Sequence, residues 1–186
     1  MGDEHKRVCP VELSGTLDTR IRRWGQNPRK ILGPYLSEGM TALDIGCGPG
    51  FFTLDMAILV GDGGKVIAAD LQQGMLDKVG KKIAGSELAG RITLHKSASE
   101  KIGVSDGVDF ALAFYMLHEV PNQEAFLTEV LSLLNQGGLL LIVEPPFHVS
   151  RSAFEQSISL AENVGFVVDS RPKVLFSKAV VLRKKE

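Results

Sequence analysis

The sequence predicts an α/β fold: a three-layer α/β/α sandwich on a mostly parallel, seven-stranded sheet that ends in an antiparallel hairpin. Three observations predict it. Short apolar runs alternate with helical patterns along most of the chain, which is typical of parallel βα units. A glycine-rich turn joins the first apolar run to the first helix of this series, and an acid ends the second run. Two short runs close the chain with no helix between them, which indicates an antiparallel pair.

The glycine turn is the sequence Gly46-Cys47-Gly48-Pro49-Gly50, and it follows an apolar run at residues 42–45. Glycine lets the backbone turn sharply and lets a ligand approach the main chain. The helix predicted from Phe51 onward directs free N–H groups at the turn, which favours a carboxylate or a phosphate there. Asp44 lies in the strand beside the turn, so we expect it to accept hydrogen bonds.

The second part of the pattern is Asp70, near the end of the apolar run at residues 65–71. In nucleotide-type sites, an acid at the tip of the second strand accepts hydrogen bonds from ribose hydroxyls. A dinucleotide site has the spacing G-x-G-x-x-G, which would require glycine where Phe51 stands. The third glycine is Gly50 instead, so the spacing favours a nucleoside that carries an amino acid.

The turn and Asp70 together resemble the first two motifs of the class I S-adenosylmethionine-dependent methyltransferases. More loosely, the chain is similar to their ubiquinone/menaquinone-type small-molecule branch, from about Met40 to the C-terminus. The resemblance implies a Rossmann-like core over residues 39–186 and a helical arm or lid over residues 1–38. With 186 residues, the chain suits a single domain, 1–186.

The resemblance also implies S-adenosylmethionine as the cofactor, with S-adenosylhomocysteine as the product. The glycines would shape the methionine end, Asp44 would orient it and Asp70 would hold the ribose. Where the family often has an acid for the adenine amino group, this chain has Ser97, so nearby backbone amides or Glu100 would replace it. The implied cofactor-binding residues are Asp44, Gly46, Cys47, Gly48, Gly50, Asp70, Leu71, Ala98, Ser99 and Phe114.

Residues beyond the fourth and fifth strands are the candidates for the acceptor site, because ligands bind outside the carboxyl ends of such strands. Tyr115, His118 and Glu144 are the candidate substrate residues, and Glu119 and His148 lie in the same loops. The alternative is that these are merely solvated loop residues. Methyl transfer needs a general base only when the acceptor must lose a proton, so no catalytic residue is predicted.

The remaining strands and helices are predicted from the period of the apolar residues and from the residue types that begin and end helices. Strands are expected at residues 92–94, 108–114, 139–143, 166–168 and 174–182. Three helices carry the apolar sets Met75, Leu76, Val79 and Ile83; Phe126, Leu127, Val130, Leu131 and Leu134; and Phe154, Ile158 and Ala161. The second of these is expected to end at Asn135 and the Gly137-Gly138 pair, and the third to end at Gly165. Ser152 and Glu155 are expected to form a capping box for the third.

The N-terminal arm is predicted to form two short helices that break at Asn27, before Pro28. Their apolar residues are Leu17, Ile21, Trp24, Ile31, Leu32 and Tyr35. A basic cluster lies among them, at Arg20, Arg22, Arg23, Arg29 and Lys30. A solvated face is the favoured interpretation of the cluster, and a lid that meets an anionic substrate is the alternative. Trp24 and Tyr35 would contact ligand or, as aromatic residues at helical spacing more often do, pack in the core.

Composition excludes several other classes. The net charge of −1 provides no field that would draw nucleic acid, and no metal-ligand cluster is evident. No long apolar span or signal peptide is recognised, so we expect a cytoplasmic protein without a membrane span. Cys9 and Cys47 are expected to be reduced thiols.

The predicted function is S-adenosylmethionine-dependent methyl transfer to a small-molecule acceptor. A non-catalytic S-adenosylmethionine-binding protein is the alternative, and an NAD-dependent oxidoreductase is less favoured. The oligomeric state is not predicted.

Overall fold

The computed structural model describes residues 26–185, and these form a seven-stranded sheet with helices on both faces. The strands are β1 (Thr41–Ile45), β2 (Lys65–Asp70), β3 (Ile92–Lys96), β4 (Val108–Phe114), β5 (Leu134–Glu144), β6 (Phe166–Ser170) and β7 (Lys178–Lys184). The α-helices are α1 (Pro28–Leu32), α2 (Thr53–Leu59), α3 (Gln73–Ile83), α4 (Gln123–Leu133) and α5 (Arg151–Val164). Short 3₁₀ segments occupy Glu87–Gly90 and Leu117–Glu119.

The strand order is β3-β2-β1-β4-β5-β7-β6. β3, β2, β1, β4 and β5 pair in parallel, whereas β7 lies antiparallel between β5 and β6. The predicted fold class is therefore confirmed, including the antiparallel hairpin at the C-terminal end. Parallel strands need crossovers, which α2 and α3 provide on one side of β1 and α4 provides beyond β4.

The core lies in two layers, one on each face of the sheet. On one face, α1, α2 and α3 pack with side chains that include Phe110 of β4. On the other face, α4 and α5 pack with side chains that include Leu43 of β1 and Ala111 of β4. Because β4 is covered on both faces, its near-continuous apolar run suits its central position. None of the helices in residues 26–185 has the length and apolarity that crossing a bilayer requires.

The described part of the N-terminal arm begins at Gln26. The predicted break agrees with the start of α1: the Asn27 side chain accepts a hydrogen bond from the Lys30 amide at 3.3 Å, and Pro28 opens the helix. Tyr35 stacks on Phe110 in the core, with ring centroids 6.3 Å apart, as aromatic residues at such spacing more often do. Six of the other predicted arm residues lie outside the described residues: Leu17, Arg20, Ile21, Arg22, Arg23 and Trp24.

Two predicted boundaries around α4 and β5 are wrong. The helix ends at Leu133, and Leu134 already belongs to β5, because its backbone is extended at φ −69° and ψ 134°. Asn135 is not a helix cap, since its side chain donates to Asp109 Oδ1 at 2.7 Å. Gly137, at φ +73°, lies where the register of β5 on β4 shifts. The two glycines therefore form an irregularity within a strand.

The predicted capping box on α5 is also wrong. Ser150, two residues before Ser152, is the N-cap, and its hydroxyl accepts a hydrogen bond from the Ala153 amide at 3.0 Å. Glu155 instead forms a two-pronged ion pair with Arg171. The end of α5 is as predicted, with Gly165 at φ +116°. The last strand begins at Lys178 and not at residue 174.

Candidate active site

The topological switch point of the sheet lies between β1 and β4. β1 pairs with β2 on one side and with β4 on the other, so the crossovers leave in opposite directions from this point. In open α/β sheets, the crevice outside the carboxyl ends of the strands at such a switch point is the usual ligand site. The glycine turn after β1 and the segment after β4 form its two walls, and they pack on each other: a Cβ built on Gly46 would lie 3.3 Å from Met116 Cβ.

All three glycines of the turn have left-handed backbone conformations, with φ of 67°, 54° and 85° at Gly46, Gly48 and Gly50. Other residue types rarely adopt this conformation, which explains the glycine pattern. A Cβ on Gly50 would lie 3.1 Å from Val79 Cγ2 of α3, so this glycine permits close helix packing. A Cβ on Gly48 would have no heavy atom within 4 Å. Gly48 therefore leaves its backbone accessible from open space.

Asp70, at the tip of β2, fixes the glycine turn. One carboxylate oxygen accepts from the Gly48 amide at 2.9 Å and the other from the Gln72 amide at 2.8 Å. Burial raises the pKa of Asp70, against the opposing effects of these two hydrogen bonds and of Lys96. Since each carboxylate oxygen has more than one lone pair, both can accept further hydrogen bonds from a ligand. The ribose role of Asp70 stays a prediction.

Asp44 lies under the turn and is only 2% exposed. It accepts a hydrogen bond from the Thr53 hydroxyl at 2.6 Å, so the start of α2 holds this carboxylate in place. Its role toward the methionine end of a cofactor stays a prediction. Cys47 is buried beside it, and burial, followed by the charges of Asp44 and Asp70, raises the pKa of the Cys47 thiol. The thiol is therefore protonated at neutral pH.

On the other wall of the crevice, His118 and Glu144 form a hydrogen-bonded pair. The His118 amide donates to Glu144 Oε1 at 3.1 Å, and His118 Nδ1 lies 2.6 Å from Glu144 Oε2. The Glu144 side chain is 2% exposed, whereas that of His118 is 29% exposed. The hydrogen bond to Glu144 raises the pKa of His118 above its ordinary value. The structure thus brings together two of the three predicted substrate residues.

The next residue, Glu119, has a perturbed carboxyl group. Burial raises its pKa to about 7, with further increases from the charges of Glu144 and Asp70, although the charge of His118 opposes the shift. The charges of Asp70, which ends β2, and of Glu144, which ends β5, both act on Glu119. Such perturbed groups in a cleft are typical of functional sites.

Tyr115, the third predicted substrate residue, connects loops. Its hydroxyl lies 2.6 Å from the Ser177 hydroxyl and accepts a hydrogen bond from the Gln26 side chain at 2.6 Å. Its backbone is left-handed, at φ 59°, which is uncommon for an aromatic residue. The amide nevertheless donates to the Val143 carbonyl at 2.8 Å. Tyr115 therefore ties the N-terminal arm and the loop before β7 to the end of β4.

Comparison with known proteins identifies the family. The sequence profile of a family described as "Methyltransferase domain" matches residues 36–168, which is more than half of the chain. The chain belongs to this methyltransferase family. The predicted resemblance to class I S-adenosylmethionine-dependent methyltransferases is confirmed.

Curated methyltransferases are similar over part of their length. The chain is 32% identical over 124 residues to a ubiquinone/menaquinone biosynthesis C-methyltransferase of Geobacter sulfurreducens, covering 66% of this chain and 48% of the relative. It is 35% identical over 110 residues to a demethylmenaquinone methyltransferase of Lactobacillus johnsonii, covering 59% and 45%. The chain thus spans about half the length of these relatives.

A solved structure is similar over nearly the whole chain. It is a SAM-dependent methyltransferase from Aquifex aeolicus, with a TM-score of 0.84 and 26% identity, covering 96% of this chain and 100% of that one. The similarity covers most of the chain and is not confined to the glycine turn.

The methyltransferase residues predicted near an adenine are less well placed for hydrogen bonding. The Ala98 amide already donates to the Lys101 carbonyl at 3.0 Å, and its role toward an adenine stays a prediction. Ser99 is exposed in the same turn, and Leu71 is exposed just beyond β2. Phe114 is buried at the end of β4 and contacts Phe52, with ring centroids 4.3 Å apart.

Sequence reasoning missed three polar residues at this methyltransferase site. Thr53 supports Asp44, and Gln26 and Ser177 hold the Tyr115 hydroxyl. Only Thr53 gave a usable signal, because it opens the helix directly after the glycine turn and can reach back to the strand. Within residues 26–185, no group of three or more potential ligands is placed to hold a metal ion.

Proposed function

We propose that this chain is an S-adenosylmethionine-dependent methyltransferase that acts on a small-molecule acceptor. The observation that carries the proposal is the geometry of Gly48. Its amide is held by Asp70, its φ is 54°, and open space lies where a side chain would project. A ligand can approach the main chain at this point, beside an acid suited to ribose hydroxyls.

The residues present fit the cofactor that the family uses. Gly46, Gly48 and Gly50 would accommodate the methionine end, and Asp70 would hold the ribose. When bound, S-adenosylmethionine supplies an activated methyl group on a sulfonium leaving group. The chain itself contributes positioning and exclusion of water, to which buried Phe114 and the connected loop at Tyr115 would contribute. Good orientation of reactants is worth about 7–11 kcal/mol.

The rival functions have less support. For an NAD-dependent oxidoreductase, the position of the third glycine in the dinucleotide spacing is taken by Phe51, which is 2% exposed and packs on Phe52. A non-catalytic S-adenosylmethionine-binding protein would use the same glycine turn. The hydrogen-bonded pair of His118 and Glu144, in which that bond raises the pKa of His118, favours an enzyme over such a protein. The cytoplasmic location stays a prediction.

Calorimetric titration with S-adenosylmethionine, S-adenosylhomocysteine and NAD(H) tests the proposal. We expect the two sulfur compounds to bind and NAD(H) not to bind. Asp70→Ala should lose most of this affinity, whereas Asp77→Ala, which removes an exposed acid on α3, should retain it. Circular dichroism establishes that both variants are folded. Binding of NAD(H) alone, or unchanged binding by Asp70→Ala, would overturn the assignment.

A further inference from the structure

We infer that Glu129 is a positioning residue for the cofactor: it holds the turn of residues 97–101 beside the nucleoside base, and it thereby sets the preference for adenine. This inference rests on the proposed function, because it deepens the description of that cofactor site. Glu129 lies in α4, on a different element from every residue assigned to the cofactor above.

The position of the 97–101 turn relative to Asp70 is the first support. On the β1 side, Asp70 is flanked by the glycine turn, since it accepts a hydrogen bond from the Gly48 amide. On the β3 side, it is flanked by the 97–101 turn, since the Ser97 amide donates to the Asp70 carbonyl at 3.0 Å. The amino acid end of the ligand is proposed to occupy the glycine turn and its ribose to bind Asp70. The base, on the far side of the ribose, is therefore left with the 97–101 turn as its neighbour.

The 97–101 turn is closed by two hydrogen bonds of its own. The Ala98 amide donates to the Lys101 carbonyl at 3.0 Å, and the Lys101 amide donates to the Ala98 carbonyl at 3.3 Å. Ser99 and Glu100 lie between these residues and are exposed. Because both bonds join residues within the turn, they fix its shape but not its position against the sheet.

Glu129 holds the two residues that follow the turn. The Ile102 amide donates to Glu129 Oε2 at 2.9 Å, and the Gly103 amide donates to Glu129 Oε1 at 2.9 Å. Nε2 of His95, in β3, lies 2.8 Å from the Ile102 carbonyl, which can only accept a hydrogen bond. The Ile102 side chain is 4% exposed and packs in the core. The far end of the turn is thus tied to α4 and to β3.

A carboxylate is the side chain that suits two successive amides. Each of its oxygens accepts one hydrogen bond, and hydrogen bonds from a backbone amide to an ionised carboxylate are stronger than those to a neutral acceptor. In Glu129→Gln, one oxygen is replaced by an NH₂ group, which can only donate. One of the two amides would then face another donor, so we expect this variant to release the end of the turn without a large change in volume.

The space between the turn and α4 explains why these two hydrogen bonds matter. A surface groove runs there, and its lining includes Lys101 from the turn and Thr128 and Glu129 from α4. Because this groove is open, the turn gains no close packing on α4 along it. The Glu129 hydrogen bonds provide the connection instead.

A fixed turn can distinguish adenine from a base with the reverse pattern of donors and acceptors. On its outer edge, adenine has an acceptor at N1 and a donor amino group, whereas hypoxanthine has a donor at N1 and an acceptor carbonyl. Backbone amides at the tip of the turn are donors, and the Glu100 carboxylate is an acceptor, which matches adenine. A site that leaves its polar groups unpaired rejects the wrong ligand.

Amide hydrogen exchange of the full chain without ligand tests the contact independently of turnover. In Glu129→Gln, the Ile102 and Gly103 amides should exchange faster than in the wild type. The amides of β4 should exchange at the wild-type rate, which shows that the fold is intact. Unchanged exchange at Ile102 and Gly103 would show that Glu129 does not hold the turn, and it would overturn the inference.

Calorimetric titration with S-adenosylhomocysteine and S-inosylhomocysteine tests the preference for the base. The wild-type chain should bind the adenine compound at least about tenfold more tightly. Glu129→Gln should lose about tenfold in affinity for the adenine compound and less for the hypoxanthine compound, so the preference shrinks. Glu129→Asp keeps both acceptor oxygens and should retain more of the preference. Glu124→Gln, which removes an exposed acid from the same helix, should match the wild type.

The titrations also separate the inference from the proposed function. If the wild-type chain binds neither compound and does not bind S-adenosylmethionine, the proposed function itself fails. If the wild type binds the adenine compound but Glu129→Gln keeps the full preference, the role of Glu129 is wrong, even when both affinities fall together. Equal binding of the two compounds by the wild type would show that no adenine preference exists for Glu129 to set.

Discussion

Replacing Gly48 with alanine separates the two consequences of its conformation. Gly48 and Gly39 both have left-handed backbones, with φ of 54° and 84°, and a Cβ on either would have no heavy atom within 4 Å. Gly39, however, precedes β1 at the opposite end of the sheet, where its amide donates to the Val60 carbonyl. Gly39→Ala is therefore a control with similar backbone strain and no contact with the crevice.

The expected magnitudes follow from the backbone and from the crevice. An alanine in the left-handed region costs about 1–2 kcal/mol, so both variants should lose this much free energy of unfolding. Only Gly48→Ala should place a methyl group where a ligand approaches. We expect its affinity for S-adenosylmethionine to fall by about tenfold or more, which corresponds to about 1.4 kcal/mol. Gly39→Ala should bind like the wild type.

Urea unfolding gives the stabilities, and calorimetric titration of the folded variants gives the affinities. If Gly48→Ala binds S-adenosylmethionine as tightly as the wild type, the open space at Gly48 is not the cofactor site. If Gly39→Ala weakens binding equally, general destabilisation accounts for the effect, and the reasoning from Gly48 is refuted.

Two further predictions concern buried and half-buried polar groups. Thr53→Val removes the hydroxyl that donates to buried Asp44 at 2.6 Å. It should lower the free energy of unfolding, measured in urea titrations, by about 1–3 kcal/mol. An unchanged unfolding midpoint would show that Asp44 needs no support from α2. Glu119 has a pKa raised from 4.5 to about 7, so the folded chain binds more protons than the unfolded chain in this window and loses stability as pH rises through it. Glu119→Gln should therefore stabilise the chain by about 1 kcal/mol at about pH 8, after discounting for solvent screening, and have little effect at about pH 4. Thermal unfolding at both pH values tests this, and equal effects would contradict it.

Much of the cofactor side could be predicted because its residues follow one another along the chain. Asp44, the glycine turn and the start of α2 form one continuous strand–turn–helix segment, so their order along the sequence is also their arrangement in space. Asp70 is one strand away, and its position at the tip of β2 follows from the parallel pairing of neighbouring strands. The period of the apolar residues and the spacing of the glycines are enough to predict such local features.

The wrong boundaries have a different cause. Leu134 continues the apolar period of α4, but pairing with Val108 of β4 makes it the first residue of β5. Ser150 and Ser152 are both plausible caps in sequence, and the choice depends on where the chain leaves β5. Glu155, which would complete a capping box, is held by Arg171 from beyond β6. Contacts between distant segments override local preference in each case.

For His118 and Glu144, the position of each residue could be predicted from the sequence, but the contact between them could not. That His118 and Glu144 follow strands could be predicted, but a hydrogen bond between them requires β4 and β5 to be neighbours in the sheet. Once the strand order is known, residues just beyond adjacent parallel strands are brought to the same edge. The pair is therefore a consequence of topology and not of spacing, and no local motif could have revealed it. The two residues that this hydrogen bond joins are 26 positions apart in the sequence.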